Sequence, residues 1–250
     1  MTNAQNCRRR SILALTTIAT NLMPPFEFSR IERYVLSLHD ELHRFHSWDI
    51  CFTEFSTNDN THSLALHLGF YLASWGMYRG SSGLLQRNYK VHLKAVEILK
   101  SPAYATLYHQ SSSAEMRNNI PLIMELRDAL STHYRGISFA RKGVPEMISD
   151  TDTLLSKVIL GTTGCVPAFD RYFIAGLKSS GIKNTKFNSS SLNDIVTFVD
   201  ENNLSFARAV DYVESKTRHR YPLMKLVDMY FWQAGFDASL PVSNLSESTQ

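Results

Sequence analysis

The run Leu64 to Lys100, LALHLGFYLASWGMYRGSSGLLQRNYKVHLKAVEILK, constrains this chain more than any other stretch. Its apolar spacing predicts a fully buried helix, a break of small residues, then an amphipathic helix carrying basic side chains. Gly69, Ala73, Gly76 and Gly80 recur at i, i+4, i+7 and i+11, one stripe on a helix. Each glycine costs a helix about 1 kcal/mol relative to alanine. The stripe therefore predicts close approach by another backbone, with Arg79, Ser81 and Ser82 at a tight bend.

Helical periodicity continues on both sides. Ile31, Tyr34, Val35, Leu38, Leu42 and Phe45 fall on one face of a helix capped by Ser29, and Trp48 to Thr61 reads as a loop with a short extended piece. Ser112 and Glu115 have capping-box spacing ahead of a helix at about Ile120–Tyr134, with Leu122, Ile123, Leu126 and Leu130 as its core face. Short helices follow at Thr153–Leu160, closed by Gly161 and Gly164, and at Pro167–Leu177. Three more are expected at Leu192–Glu201, Ser205–Thr217 and Leu223–Ala234. No alternating strand pattern of convincing length occurs, so the expected class is all-α: one irregular helical domain. Its parts are a basic arm and short helix over 1–28, a lobe over 29–136, a weak seam near 137–150, a second lobe over 137–238, and a disordered tail over 239–250.

Composition narrows the compartment and the chemistry. The 250 residues are 44% hydrophobic and 20% charged with a net charge of +3, an ordinary globular balance. Cys7, Cys51 and Cys165 form no Cys-x-x-Cys pair or disulfide framework, which suits a reducing cytoplasm. Arg8, Arg9 and Arg10 ahead of SILALTTIATNLM resemble an export signal, but Thr16, Thr17 and Thr20 dilute the apolar stretch and no A-x-A site follows. The favoured reading is a mobile basic arm, no membrane span and a cytoplasmic protein, with no cofactor expected and the oligomeric state open.

Three groups of residues could carry chemistry. His39, His43 and His46 share a flank of the first helix with Glu32, a set that could hold zinc, iron or nickel. The alternative is a half-exposed polar flank. At the bend, Arg79, Ser81 and Ser82 with Arg87 and Lys90 could hold a phosphate at a helix N-terminus. Its alternative is a packing bend with Arg79 paired to Glu54.

The third group lies in Ser156-Lys-Val-Ile-Leu-Gly-Thr-Thr-Gly-Cys-Val-Pro-Ala-Phe-Asp-Arg171. Two short helices joined by a G-x-x-G turn resemble a helix-hairpin-helix element, whose turn amides hold a phosphate. The stretch is similar to relatives of the helix-hairpin-helix DNA glycosylase superfamily, over about sixteen residues. That resemblance implies phosphate contacts at Gly161, Gly164 and Arg171, with Lys157 and Asp170 as the catalytic pair. The hairpin lacks the Leu-Pro-Gly-Val-Gly form and the helix before Asp170 is short, two departures that put catalysis in question. The other reading has Lys157 exposed and Asp170 capping its helix or pairing with an arginine. FYLASWGMYRGSSGLLQ, GCVPAFDRYF and YPLMKLVDMYFW also resemble a bacterial protein family of unknown function, which implies no activity.

Lys216, Arg218, His219, Arg220 and Lys225, with Arg135, Arg141 and Lys142, could add a phosphate-tracking face. The leading expectation is a protein that engages nucleic acid or a phosphate-bearing ligand, whether or not it is an enzyme. A metal-dependent hydrolase on the His39/His43/His46 helix is the alternative, and a non-enzymatic scaffold is the third reading.

Overall fold

The computed structural model describes residues 25–79, 82–110 and 112–240. The arm expected over the first two dozen residues, Gly80, Ser81 and the tail beyond 240 lie outside them. Ten α-helices and one β-hairpin make up the described chain: α1 Phe28–Leu36, α2 His46–Thr57, α3 Thr61–Ser74, α4 Leu93–Leu99, α5 Ser113–Arg135, β1 Ser138–Arg141, β2 Val144–Met147, α6 Asp152–Thr162, α7 Arg171–Ser179, α8 Ser189–Glu201, α9 Asn203–Thr217 and α10 Leu223–Asp237. Stretches of 3₁₀ helix join several of them, the longest being Pro102–His109. The protein is mostly helical, as its periodicity predicts.

Helix α10 is the central strut. Every residue from Met224 to Gly235 is buried, with α1, α7 and α9 packed around it. Helix α6 meets α2, α3 and α5, while α8 lies on α5 and α9. One connected set of buried side chains runs from Ile31 to Trp232, so the core is continuous across the expected seam at 137–150. Ser138 to Met147 form an antiparallel hairpin in which Arg141 faces Val144 across a two-residue turn. Lys142 and Gly143 both take positive φ there, which a turn of this handedness requires.

Several helices begin or end elsewhere than the periodicity predicts. The apolar face starting at Ile31 breaks after Leu36, so Leu42 is 94% exposed while Phe45 turns inward. The stretch read as a loop after Trp48 is α2, with Trp48, Cys51 and Phe55 buried on one side. Its hydroxyl residues are poor helix formers by propensity, and Ser56 and Thr57 donate back to the Phe52 and Thr53 carbonyls in its last turn. Ser112 and Glu115 do form the capping box, but α5 starts there and carries Pro121 within it.

Among the described residues the glycine stripe is broken before Gly76. Helix α3 stops at Ser74, and Gly76 ends it at φ 75°. Gly76 N–H donates to Ala73 and Met77 N–H to Leu72, the paired bonds of a Schellman stop. Nor is α3 fully buried, since Leu66 and Phe70 face outward. The expected second helix is interrupted by extended backbone at Arg87, and only Leu93–Leu99 is α-helical. Close backbone approach occurs instead where α7 crosses α10. A Cβ added at Gly176 would stand 1.9 Å from the Phe231 carbonyl oxygen, and one at Gly235 would stand 1.9 Å from that of Tyr172.

Candidate functional site

Where α6, α7 and α10 meet, four ionisable side chains converge in the core. Lys157 projects from α6, which Thr151 caps by accepting the Leu154 N–H. Its ammonium lies 3.0 Å from Asp170 Oδ2, at the start of α7. The other oxygen of Asp170 accepts the Tyr172 and Phe173 N–H groups, so this carboxylate caps α7 and pairs with Lys157 at once. One turn of α10 supplies the second pair, Lys225 and Asp228, at 3.3 Å. Asp228 Oδ1 accepts the Ala168 N–H at 3.0 Å, and Lys225 also donates to the Tyr34 hydroxyl at 3.0 Å.

Aromatic rings enclose the lysines. The Lys157 ammonium is 4.8 Å from the Trp75 ring centroid, and that of Lys225 is 4.9 Å from Tyr34 and 5.0 Å from Trp48. Lysine in an apolar wall retains attraction to the negative ring faces, which offsets part of its lost hydration. Lys157 is 3% exposed and Lys225 2% exposed. The space bounded by Tyr71, Trp75 and Trp232 is too narrow to admit a water molecule. Burial raises the Asp228 carboxyl pKa above its ordinary value, against the lowering by Lys225. Burial, then the Asp228 charge, likewise raises the Tyr34 phenol.

The link between α6 and α7 is pinned by the same elements. Ser156 Oγ accepts the Phe169 N–H at 2.8 Å, while Thr153 Oγ1 donates to the Phe169 carbonyl at 2.8 Å. Gly161 lies inside α6 against the Tyr71 ring, and Gly164 rests on Pro222 and Phe52. Residues 161–169 are buried throughout. The G-x-x-G turn therefore offers no amide to an external phosphate, and the expected phosphate role of Gly161 and Gly164 is corrected. Lys157 is not exposed, and Asp170 makes both a cap and an ion pair.

The remaining expected residues are scattered. Arg171 is exposed with its guanidinium 4.4 Å from the Tyr172 ring. Arg79 is exposed and folds back toward Gly76, while Glu54 meets Asn58 and His67 and not Arg79. Ser82 is half-buried with its hydroxyl unpartnered, and Ser81 lies outside the described residues. Arg79 is thus exposed, whereas Gly161 and Gly164 are buried.

The histidine set is also undone, because the helix breaks between its members. His39 ends a 3₁₀ turn, His43 sits in the following turn, and His46 opens α2. His46 donates through Nε2 to the Leu38 carbonyl at 3.1 Å and lies 3.3 Å from Asp49. Among the described residues no cluster of three or more His, Cys, Asp or Glu is placed to hold a metal. The 216–225 basic run is likewise divided: Lys225 is in the core, Arg220 pairs with Glu214, and Lys216 lies over Tyr212.

Arg87 belongs to a second locus. It joins Gln86, Asn88, Lys90, Val91, His133 and Ile137 around a surface hollow of about 330 Å³. Arg87 donates to the Ser138 carbonyl, and His133 Nε2 donates to that of Val91 at 2.9 Å. Asn88 Oδ1 accepts the Lys90 N–H at 3.0 Å, fixing the turn that carries this lysine. Among the described residues no acidic side chain lines the hollow. Burial lowers the His133 pKa, which keeps its imidazole neutral near pH 7.

No protein-family model, curated protein or solved structure matches the chain. Among the described residues no helix is long and apolar enough to cross a membrane.

Sequence reasoning missed Lys225 and Asp228 as partners of Lys157 and Asp170. The signal was available: opposite charges at i and i+3 on a helix otherwise apolar all round must be buried together. Trp75 gave no comparable signal, because its place over Lys157 depends on where α3 stops.

Proposed function

We propose that the protein binds a phosphate-bearing ligand, nucleic acid in the first instance, at the hollow between Arg87, Lys90 and His133. One observation carries this reading: two cationic side chains border a concave surface of about 330 Å³ that no described carboxylate neutralises. Such a surface attracts phosphates regardless of base sequence. The β-hairpin leaves the same locus from Ser138, which Arg87 holds, and ends at the exposed Lys142. A phosphate chain lying in the hollow could therefore reach a third cation. Lys157 and Asp170 act in this reading as a brace that positions the α6–α7 corner. Chemistry at the pair would require an entrance past Trp75.

Salt titration of binding tests the proposal. Fluorescence anisotropy with generic single-stranded and duplex DNA and RNA should give an affinity that falls as salt rises. The slope should correspond to about two or three phosphates, at roughly 0.9 per phosphate on duplex DNA. Arg87→Ala and Lys90→Ala should each weaken binding to all sequences and reduce the slope by about 1. No retention at low salt, or slopes unchanged in both variants, would overturn it and leave the scaffold reading in its place.

A further inference from the structure

A separate cleft opens between α9, the start of α10, α2 and the segment before α5, with a volume of about 500 Å³. That falls in the range of small-molecule sites, typically roughly 300–1,000 Å³. Phe52, Phe206, Val210 and Leu223 line it together with the polar Gln110, Ser113 and Asn203. Two side chains of opposite charge, Asp211 and Arg220, line the same cleft. They do not pair with one another: Arg220 bonds Glu214 at 2.7 Å, a solvent-exposed contact that holds the guanidinium only weakly.

The charges lie toward one end. Asp211 is eight residues along α9 from Asn203, which lines the opposite end, a separation of about 12 Å at 1.5 Å per residue. Helix α10 begins beside Arg220, and its N-cap is Pro222, which has no side-chain acceptor for the first-turn N–H groups. The charged end thus presents a carboxylate in Asp211, and a guanidinium with the positive end of a long helix. Along α9, Phe206 and Val210 line the stretch between Asp211 and the polar Asn203. We infer that this cleft binds a zwitterionic α-amino acid with a large apolar side chain. The ammonium goes to Asp211, the carboxylate to Arg220 and the α10 N-terminus, and the side chain lies against Phe206 and Val210.

Isothermal titration calorimetry of the full chain against L-phenylalanine, L-leucine, glycine, 3-phenylpropionate and phenethylamine tests this. L-Phenylalanine and L-leucine should bind saturably. The analogues lacking one charge, and glycine, should bind at least tenfold more weakly. Arg220→Ala and Asp211→Ala, both at exposed positions, should each weaken L-phenylalanine at least tenfold without lowering the melting temperature. Ala207→Trp, which fills the cleft from an exposed position on α9, should abolish binding. Absence of saturable binding by either amino acid would overturn the inference. So would 3-phenylpropionate or phenethylamine binding as tightly as L-phenylalanine, or binding that survives Ala207→Trp.

Discussion

The Lys157 ammonium and the Asp170 carboxylate are joined at 3.0 Å, and the same carboxylate caps α7 through its other oxygen. One aspartate thus ties α6 to the first turn of α7. Opposite it, Asp228 ties α10 to the intervening link through the Ala168 amide. One buried carboxylate, Asp228, and one partly buried, Asp170, hold one corner from three helices, and two buried lysines balance them.

Removing Lys157 takes the cation away from the partly buried Asp170 side chain. Lys157→Met should therefore lower folding stability by about 3–5 kcal/mol, the range for breaking a buried pair. Asp170→Asn retains an oxygen for the α7 cap and loses only the charge. The double variant Lys157→Met/Asp170→Asn should recover part of the loss, because neither charge is left alone. Urea denaturation of all four proteins gives the coupling energy directly. Additive losses would mean that the pair contributes nothing beyond its separate contacts.

The α7–α10 crossing makes a contrast between glycines. At Gly176 an added methyl would stand 1.9 Å from a backbone oxygen, so the helices must separate. Gly176→Ala should cost about 3 kcal/mol, the upper end for overpacking a core. At Gly69 the nearest atoms to an added Cβ are the Tyr78 hydroxyl at 3.4 Å and the His92 ring at 3.5 Å. Gly69→Ala should be neutral or stabilising by up to about 1 kcal/mol, since it removes a helix-interior glycine. Thermal unfolding of the two variants decides whether close approach lies at α7–α10 or in the middle of α3.

This contrast marks what the chain's pattern made legible. Periodicity located α3, α5, α9 and α10, and the Ser112–Glu115 box showed where a helix is capped, because these signals are local. The identity of the tightly packed glycines was not legible, since Gly69 and Gly176 differ only in what a distant helix places against them. Lys157 and Asp170 were singled out through a resemblance, yet their burial followed from Lys225 and Asp228, some sixty residues further on. The His39, His43 and His46 set failed for the converse reason: helical spacing was extrapolated through a break at Ser37 to Phe45 that no proline or glycine marks.

Cys51 and Cys165 should be inert in the folded protein. Both thiols are buried, and burial pushes the Cys165 pKa up to about 12 and that of Cys51 higher still. Little thiolate is then present near pH 8, and the sulfurs are inaccessible. In a Cys7→Ser background, Ellman's reagent should release no colour from native protein and two equivalents after unfolding in urea. Rapid native labelling at either position would show that the surrounding core opens.

Stability should also depend on His92 in acid. Its ring is fully buried between two tyrosines, with the Tyr78 hydroxyl 2.6 Å from Nε2 and the Tyr134 hydroxyl 2.9 Å from Nδ1. Burial, with a smaller contribution from His133, lowers its pKa to about 3. Unfolded, the imidazole titrates near pH 6.5. Above that value neither state holds the proton, and His92 has no effect on the pH dependence. As pH falls below 6.5 the unfolded chain takes up a proton that the folded protein excludes until about pH 3. Folding stability should therefore decline by up to about 1.4 kcal/mol per pH unit from this residue alone, reaching on the order of 4 kcal/mol near pH 3. His92→Gln, which keeps a polar group between the tyrosines, should remove that component. Urea midpoints between pH 4.5 and 7.5 check the expectation, which requires the variant to show the shallower slope below pH 6.5 and the same slope as wild type above it.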